Sequence, residues 1–439
     1  MTRPGRRRTS RGITLAILML LSSASLASVS LQPIYAHEAS NWPLETFAAN
    51  GLFRQIAHYQ NRHPEAVVIS GGHYDLASLA SQLPTDRALQ HTDNGWVLHY
   101  PLVIAPDASL TIADTRLYLE GHHGGCLINR GTLTIHNASL ASNGDNGSGF
   151  IHGWGGSHIR IEHSTLSDLG RKDYRAHGLT LARHRYQGNG PGATLQIDDS
   201  RLTHLYRGIS TETGSELQAR RVQIRDTREQ GMVLGGSNSQ LDTVIITNAH
   251  GHGLRLEGRG ATRIFDLTSQ ANRGSGVLME DYRGPLSVDR LASTDNREYG
   301  LQIKGGKADA SARLAQLTLQ HNGSDGLRVD SPIVITVSAA HIDDNGRYAV
   351  SLDGQQAPVS ARLQQLTLYH NALAALHTRG QGAVDIEQAS LRHNSQRGHY
   401  LAGNLRGREF DLLPRLVSGQ PLRIDFTDSP ATALPASPR

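Results

Sequence analysis

Glu257 and Glu280 occupy the same place in two successive copies of a repeated phrase, 23 residues apart, and Glu212 stands in that place two copies before Glu257. Side chains on adjacent rungs of a stacked sheet lie about 5 Å apart, and two rungs apart about 9.5 Å. Those distances match the roughly 5 Å and 6.5–9.5 Å separations of the carboxyl pairs in retaining and inverting glycoside hydrolases. Like charges that close also push one carboxyl towards its protonated form, as a general acid requires. The plainer reading is a charged ladder on a wet sheet, balanced by Arg255 and Lys304.

The elements that must position these residues are written in the phrase itself: an Asn or Asp, a few polar residues, a Gly, then alternating apolar and polar positions. It reads NRGSGVLM from Asn272, NREYGLQI from Asn296 and NGSDGLRV from Asn322. It returns at Asn345 with Ala349 in the Gly position, at Asn371 with Ala375 and at Asn394 with Gly398; upstream the position holds Gly178, Gly208, Gly231 and Gly253. A repeat of roughly two dozen residues carrying one short strand is the signature of a solenoid. The expected fold class is all-β, a parallel β-helix with a small N-terminal α/β cap. Alternation along each strand turns Leu254/Leu256, Val277/Met279 and their equivalents inwards. It leaves two outward columns. One runs Thr180, Ser210, Val233, Arg255, Leu278, Gln302, Arg328, Ser351, His377; the other runs Glu212, Gly235, Glu257, Glu280, Lys304, Asp330, Asp353, Arg379.

The N-terminus reads as a secretory leader over residues 1–36. Five Arg form its basic start, Ile13 to Leu26 is apolar but shorter than the ~20 residues of a membrane span, and Ile34-Tyr35-Ala36 is an acceptable cleavage site. The chain is therefore expected to be exported, with no membrane span after cleavage. Residues 1–36 hold 5 of the 43 basic residues and no acid, so the remainder carries 38 basic against 39 acidic residues. That balance, with few aromatics, argues against nucleic acid as a partner. Cys126 is the only cysteine, so neither a disulfide nor a cysteine metal site is available within the chain. No acidic cluster has calcium-loop spacing, and neither metal nor cofactor is expected.

Residues 37–95 lack the repeat and form the expected cap, with a helix within Leu44 to Asn61, a strand from Ala66 and a short helix from Leu76 to Leu83. The β-helix is expected over 96–412 and a tail over 413–439. Arg183 to Gly192 falls in the widest gap between repeats and reads as an inserted loop, placed where solenoids carry function.

From about residue 66 to 350 the chain resembles the periplasmic mannuronan C5-epimerases. The likeness is carried by Pro101 to Ile112, Gly131-Thr132-Leu133-Thr134-Ile135, Trp154-Gly155-Gly156-Ser157, and Ser164 to Gly170 running into His177-Gly178-Leu179-Thr180. The resemblance implies a right-handed parallel β-helix located in the periplasm and acting on an acidic polysaccharide, within reach of an exopolysaccharide export complex. It implies abstraction of a uronate C5 proton by a base and reprotonation from the opposite face. A cation must neutralise the carboxylate to make that proton acidic enough. The family supplies these groups mainly from a Gly-Φ-Asp-Pro-His-Asp strand and a basic residue on the next coil. Here the matching strand is Gly231-Met232-Val233-Leu234-Gly235-Gly236, so Val233, Gly235 and Gly236 replace Asp, His and Asp. The next coil keeps His252-Gly253-Leu254-Arg255, whose guanidinium suits a uronate carboxylate.

Three functions compete. An epimerase or lyase would use substitute residues, with Arg255, His252, Glu257 and Glu212 as catalytic candidates. A non-catalytic polysaccharide guide needs only a binding row: Arg207, Arg228, Arg255, Glu280, Lys304 and Arg328. A glycoside hydrolase would use the Glu212/Glu257/Glu280 column.

Overall fold

The computed structural model describes residues 27–34, 52–60, 64–142, 149–172, 175–183, 190–308, 310–396 and 398–427. It is a right-handed β-solenoid of about twelve turns. Three parallel sheets run its length. The third holds the strands Gly178–Leu181, Arg207–Thr211, Met232–Gly235, Leu254–Glu257, Val277–Glu280, Leu301–Lys304 and Leu327–Asp330, each paired in parallel with the next, with one register shift between Gly178 and Leu179. One inward stack passes from Leu179 through Ile209, Met232, Leu254, Val277, Leu301 and Leu327 to Val350 and Leu376, all buried. Each such aliphatic contributes about 1.5–3 kcal/mol of transfer free energy on burial. The register is over-determined, because a slip of one residue would turn the whole stack outwards.

The Gly position of the repeat is a place of close approach. A Cβ on Gly253 would lie 2.0 Å from Ser269 Oγ and 2.7 Å from the Gly276 carbonyl of the next coil. The repeated Asn points inwards, not into the turn: Asn272, Asn296, Asn322, Asn345, Asn371 and Asn394 are all buried.

Both ends differ from the boundaries expected from sequence. Strand β2 (Glu65–Ser70) pairs in parallel with Pro101–Ile104, and β3 (Gly72–Asp75) with Ala108–Ala113. The ladder therefore begins near residue 65, not 96. Helices α1 (Leu52–Gln60) and α2 (Leu76–Gln82) match two elements of the expected cap, and Asp75 caps α2 through the Ser78 N–H. Strand β1 (Ser28–Pro33) lies antiparallel on β2 over six residues. It falls inside the segment read as leader, so removal of everything through Ala36 would strip β1 from β2. At the other end, helix α3 (Glu409–Val417) and a strand Leu422–Phe426, antiparallel to Gly382–Ile386, occupy much of the expected tail. These terminal strands lack the repeat, which is why periodicity misses them. Residues 1–26, the cleavage residues Tyr35 and Ala36, residues 44–51 and 61 of the expected first helix, 184–189 of the expected inserted loop, and 428–439 lie outside the described residues.

Candidate functional site

The third sheet presents both columns in the expected register. Val233 pairs with Arg255, Arg255 with Leu278, Gln302 with Arg328, and Ser351 with His377; Gly235 pairs with Glu257, Glu257 with Glu280, and Glu280 with Lys304. At the last repeat the register departs from expectation. Leu376 pairs with Leu401, so Tyr400, not Gly398, fills the Gly position.

Arg255 is the centre of a four-residue charge network. Its Nη2 lies 2.8 Å from Glu257 Oε2 and 2.9 Å from Glu280 Oε2, and Lys304 Nζ lies 2.7 Å from Glu280 Oε1. The hydrogen bond from Lys304 holds the Glu280 carboxyl below its ordinary range. Glu280 is thus ionised at neutral pH and unfit as a general acid. Glu212 lies elsewhere. The buried Arg175 grips it through Nε–Oε1 at 2.7 Å and Nη2–Oε2 at 2.6 Å, and the Arg183 N–H donates to it at 3.3 Å. The three glutamates of the column are therefore partners of cations, not a free acid–base pair. Arg255 beside Glu257 counts against a hydrolase on this column.

His252 has a fixed tautomer. The Ser275 N–H donates to its Nδ1 at 2.9 Å, so the ring proton sits on Nε2. Burial, foremost, holds this imidazole below its ordinary pKa, with Glu298 opposing. A neutral His252 offers a hydrogen-bond donor at Nε2 and no free lone pair for a base. Close contact explains a neighbouring glycine, since a Cβ on Gly274 would lie 2.6 Å from His252 Nδ1.

The remaining expected cations spread along the same side. Arg207 is paired with Glu229, and Arg228 turns back to the Gly170 carbonyl at 2.5 Å, over the Tyr206 ring. Arg328 contacts Asp353 at 2.9 Å and the fully buried Asp325 at 3.6 Å. Beside it His377 stacks on Tyr348, with ring centroids 4.3 Å apart and planes 10° apart, and its Nδ1 is 3.0 Å from Ser351 Oγ. Desolvation brings His377 down to about 4, with the Arg328 charge adding to the effect. Sequence reasoning missed this platform. Its signal was a third column, the residue just before the Gly position: His252, Ser275, Tyr299, Asp325, Tyr348.

The rung where the family's reactive strand would stand is bare. Val233 is buried between Ser210 and Arg255. A Cβ on Gly235 would come 2.6 Å from the Thr211 carbonyl. Gly236 has φ +73°, and a Cβ there would meet the Arg259 carbonyl at 2.7 Å. The backbone has settled into a course that admits no side chain at either position.

These features define a right-handed parallel β-helix with one long charged face. The family model for the right handed beta helix region matches residues 149–322. The chain is 26% identical over 178 residues to mannuronan C5-epimerase AlgG of Azotobacter vinelandii, covering 36% of this chain and 34% of that protein. It is 25% identical over 171 residues to the mannuronan C5-epimerase of Pseudomonas aeruginosa, covering 35% and 30%. The matches thus span about a third of each relative's length. Among solved structures, the crystal structure of the periplasmic alginate epimerase AlgG superimposes with a TM-score of 0.62 at 16% identity, over 90% of this chain and 98% of that one. Sequence and fold agree on an alginate-epimerase-like parallel β-helix.

Proposed function

We propose that this is an exported, periplasmic polysaccharide-handling protein that holds an acidic chain, of polyuronate type, along the third sheet without epimerising it at the family's reactive rung. The observation that carries this reading is the bare rung at Val233–Gly236. Proton abstraction from a uronate needs a base and an acid on opposite faces of one sugar, and here both positions have lost their side chains and the room for them. Holding needs less. Arg207, Arg255 and Arg328 line one side of the solenoid. The ion pairs of Arg207 and Arg255 are partly exposed, so each is worth only about 0–1 kcal/mol, whereas Arg328 is held by the buried Asp325 and Asp353. Exchanging a protein carboxylate for a uronate carboxylate at Arg207 or Arg255 therefore costs little, while bidentate guanidinium contacts add orientation. A place in an export complex is consistent with a holding role and belongs to the same proposal.

One specific feature favours a second reading, an epimerase or lyase with relocated chemistry. His377 is a neutral imidazole beside Arg328 and Tyr348, which together offer a base, a cation and a phenol within one patch.

Proton NMR of polymannuronate and other acidic polysaccharides incubated with the protein in D₂O separates the two. The expected result is polymer binding, weakened about tenfold (~1.4 kcal/mol) by Arg255→Ala, with no deuterium at C5 and no cleavage. Deuterium incorporation abolished by His377→Ala would establish the second reading instead. Absence of binding across the panel would overturn the first.

A further inference from the structure

Outside the polymer-facing columns, one corner of the solenoid carries a row of acids and imidazoles that the proposed function does not use. It runs Asp295, His321, Asp344, His370, His393, one residue per coil, each at the left-handed turn that ends a long strand, with φ of 59°, 53°, 51°, 48° and 53°. The preceding residues are paired in register, Thr294 with Gln320, Gln320 with Asp343, and Asp343 with Tyr369. The turns are therefore stacked and present their side chains together.

At one point the row becomes a ligand set. Oxygens of Asp343 and Asp344 and a ring nitrogen of His370 all lie within 4.8 Å of one another. His370 Nδ1 is 3.1 Å from Asp343 Oδ1, close to the edge of a coordination polyhedron with bonds of about 2.0–2.2 Å. Further imidazoles surround these groups. His393 stacks on His370 with centroids 5.5 Å apart and planes 11° apart, His321 Nε2 lies 3.7 Å from Asp344 Oδ2, and His341 Nε2 lies 3.9 Å from Asp343 Oδ2.

We propose that Asp343, Asp344 and His370 bind a divalent transition metal of the zinc class, as a clasp between two successive coils at the corner leading into the third sheet. One imidazole and two carboxylates are a mixed N/O set that suits such an ion, and water completes the coordination. Sequence inspection gave no metal site because the ligands lie 26 residues apart and meet only through the coil register.

The test is calorimetric titration of Zn²⁺ into the untagged, chelator-treated protein near pH 7.5. The expected result is one site with a dissociation constant of roughly 10 µM or below, a higher melting temperature with Zn²⁺ present, and at least a tenfold loss of affinity in both His370→Ala and Asp344→Asn. Circular dichroism shows whether the variants fold. Should either not, absorption of the Co²⁺-loaded native protein reads the geometry directly, with intense visible bands expected for a tetrahedral N/O site. No binding below 1 mM, or binding unchanged in both variants and so held by other histidines, would overturn the proposal.

Discussion

The Asn272 side-chain Nδ2 donates to Asn296 Oδ1 on the next coil at 2.8 Å, and Asn296 repeats the bond to Asn322 at 2.9 Å. The chain of amides continues through Asn345 and Asn371 to Asn394. Each Oδ1 also accepts the backbone N–H of the preceding Asn, as Asn322 does from Asn296 at 3.2 Å. An amide in mid-ladder thus satisfies buried groups on both sides. Asn322→Ala is expected to destabilise the fold by about 2–4 kcal/mol, since it leaves buried donors and acceptors unpaired. Asn394→Ala, at the end, should cost less. Urea melts of the two variants check this, and equal costs would contradict a ladder.

Gly276 tests the close approach between coils. A Cβ there would sit 1.9 Å from Ser293 Oγ, which itself donates to the Gly300 carbonyl at 2.7 Å. Gly276→Ala should cost about 1–3 kcal/mol by overpacking. Adding Ser293→Ala should recover part of that loss, a non-additivity read from a double-mutant cycle.

Acid should weaken the protein in two overlapping windows. Desolvation lowers His377 and His177 to about 4 and the buried His152 to about 3. Between these values and the unfolded value near 6.5 the unfolded chain binds more protons, so stability falls as pH falls through that range. The lowered carboxyls Glu280 and Asp75 add their loss only below about pH 4.5. Asp325 and Asp330, raised by burial, oppose part of the first window. Unfolding midpoints from pH 7 to 4.5 should therefore decline, and His377→Gln should flatten the decline; a flat wild-type profile would refute it.

Rebuilding the family's strand should fail. The triple variant Val233→Asp, Gly235→His, Gly236→Asp forces side chains towards the Thr211 and Arg259 carbonyls and puts a non-glycine residue at φ +73°. The expected outcome is a loss of roughly 2–5 kcal/mol and no C5 exchange in D₂O. An active, stable triple variant would show that the backbone had not moved on from the chemistry.

How much of this was legible in the sequence depends on what fixes each feature. Columns such as Val233–Arg255–Leu278 follow from the repeat alone, because register leaves no freedom once one face is buried. Which cation reaches which carboxylate does not follow. Arg175 reaches Glu212 from a segment 37 residues earlier, outside the repeat. The His252 tautomer depends on one backbone N–H of the next coil, and the inward turn of Asn272 looks in sequence like an ordinary turn residue. The antiparallel end strands have no periodic signal at all.

Those two end strands also set how this molecule can change in size. Strand β1 and Leu422–Phe426 each complete one sheet with a strand of reversed direction, which the parallel coil of another copy cannot continue in register. Growth by end-to-end stacking is thereby discouraged at the C-terminal pole, and at the N-terminal pole in a chain that keeps β1. Lengthening must come from inside, by duplication of one unit of about two dozen residues, which extends the third sheet by about 4.8 Å and leaves both poles untouched. Under the proposed holding function, the span of polymer embraced is then a quantity that evolution, or an engineer, adjusts one rung at a time.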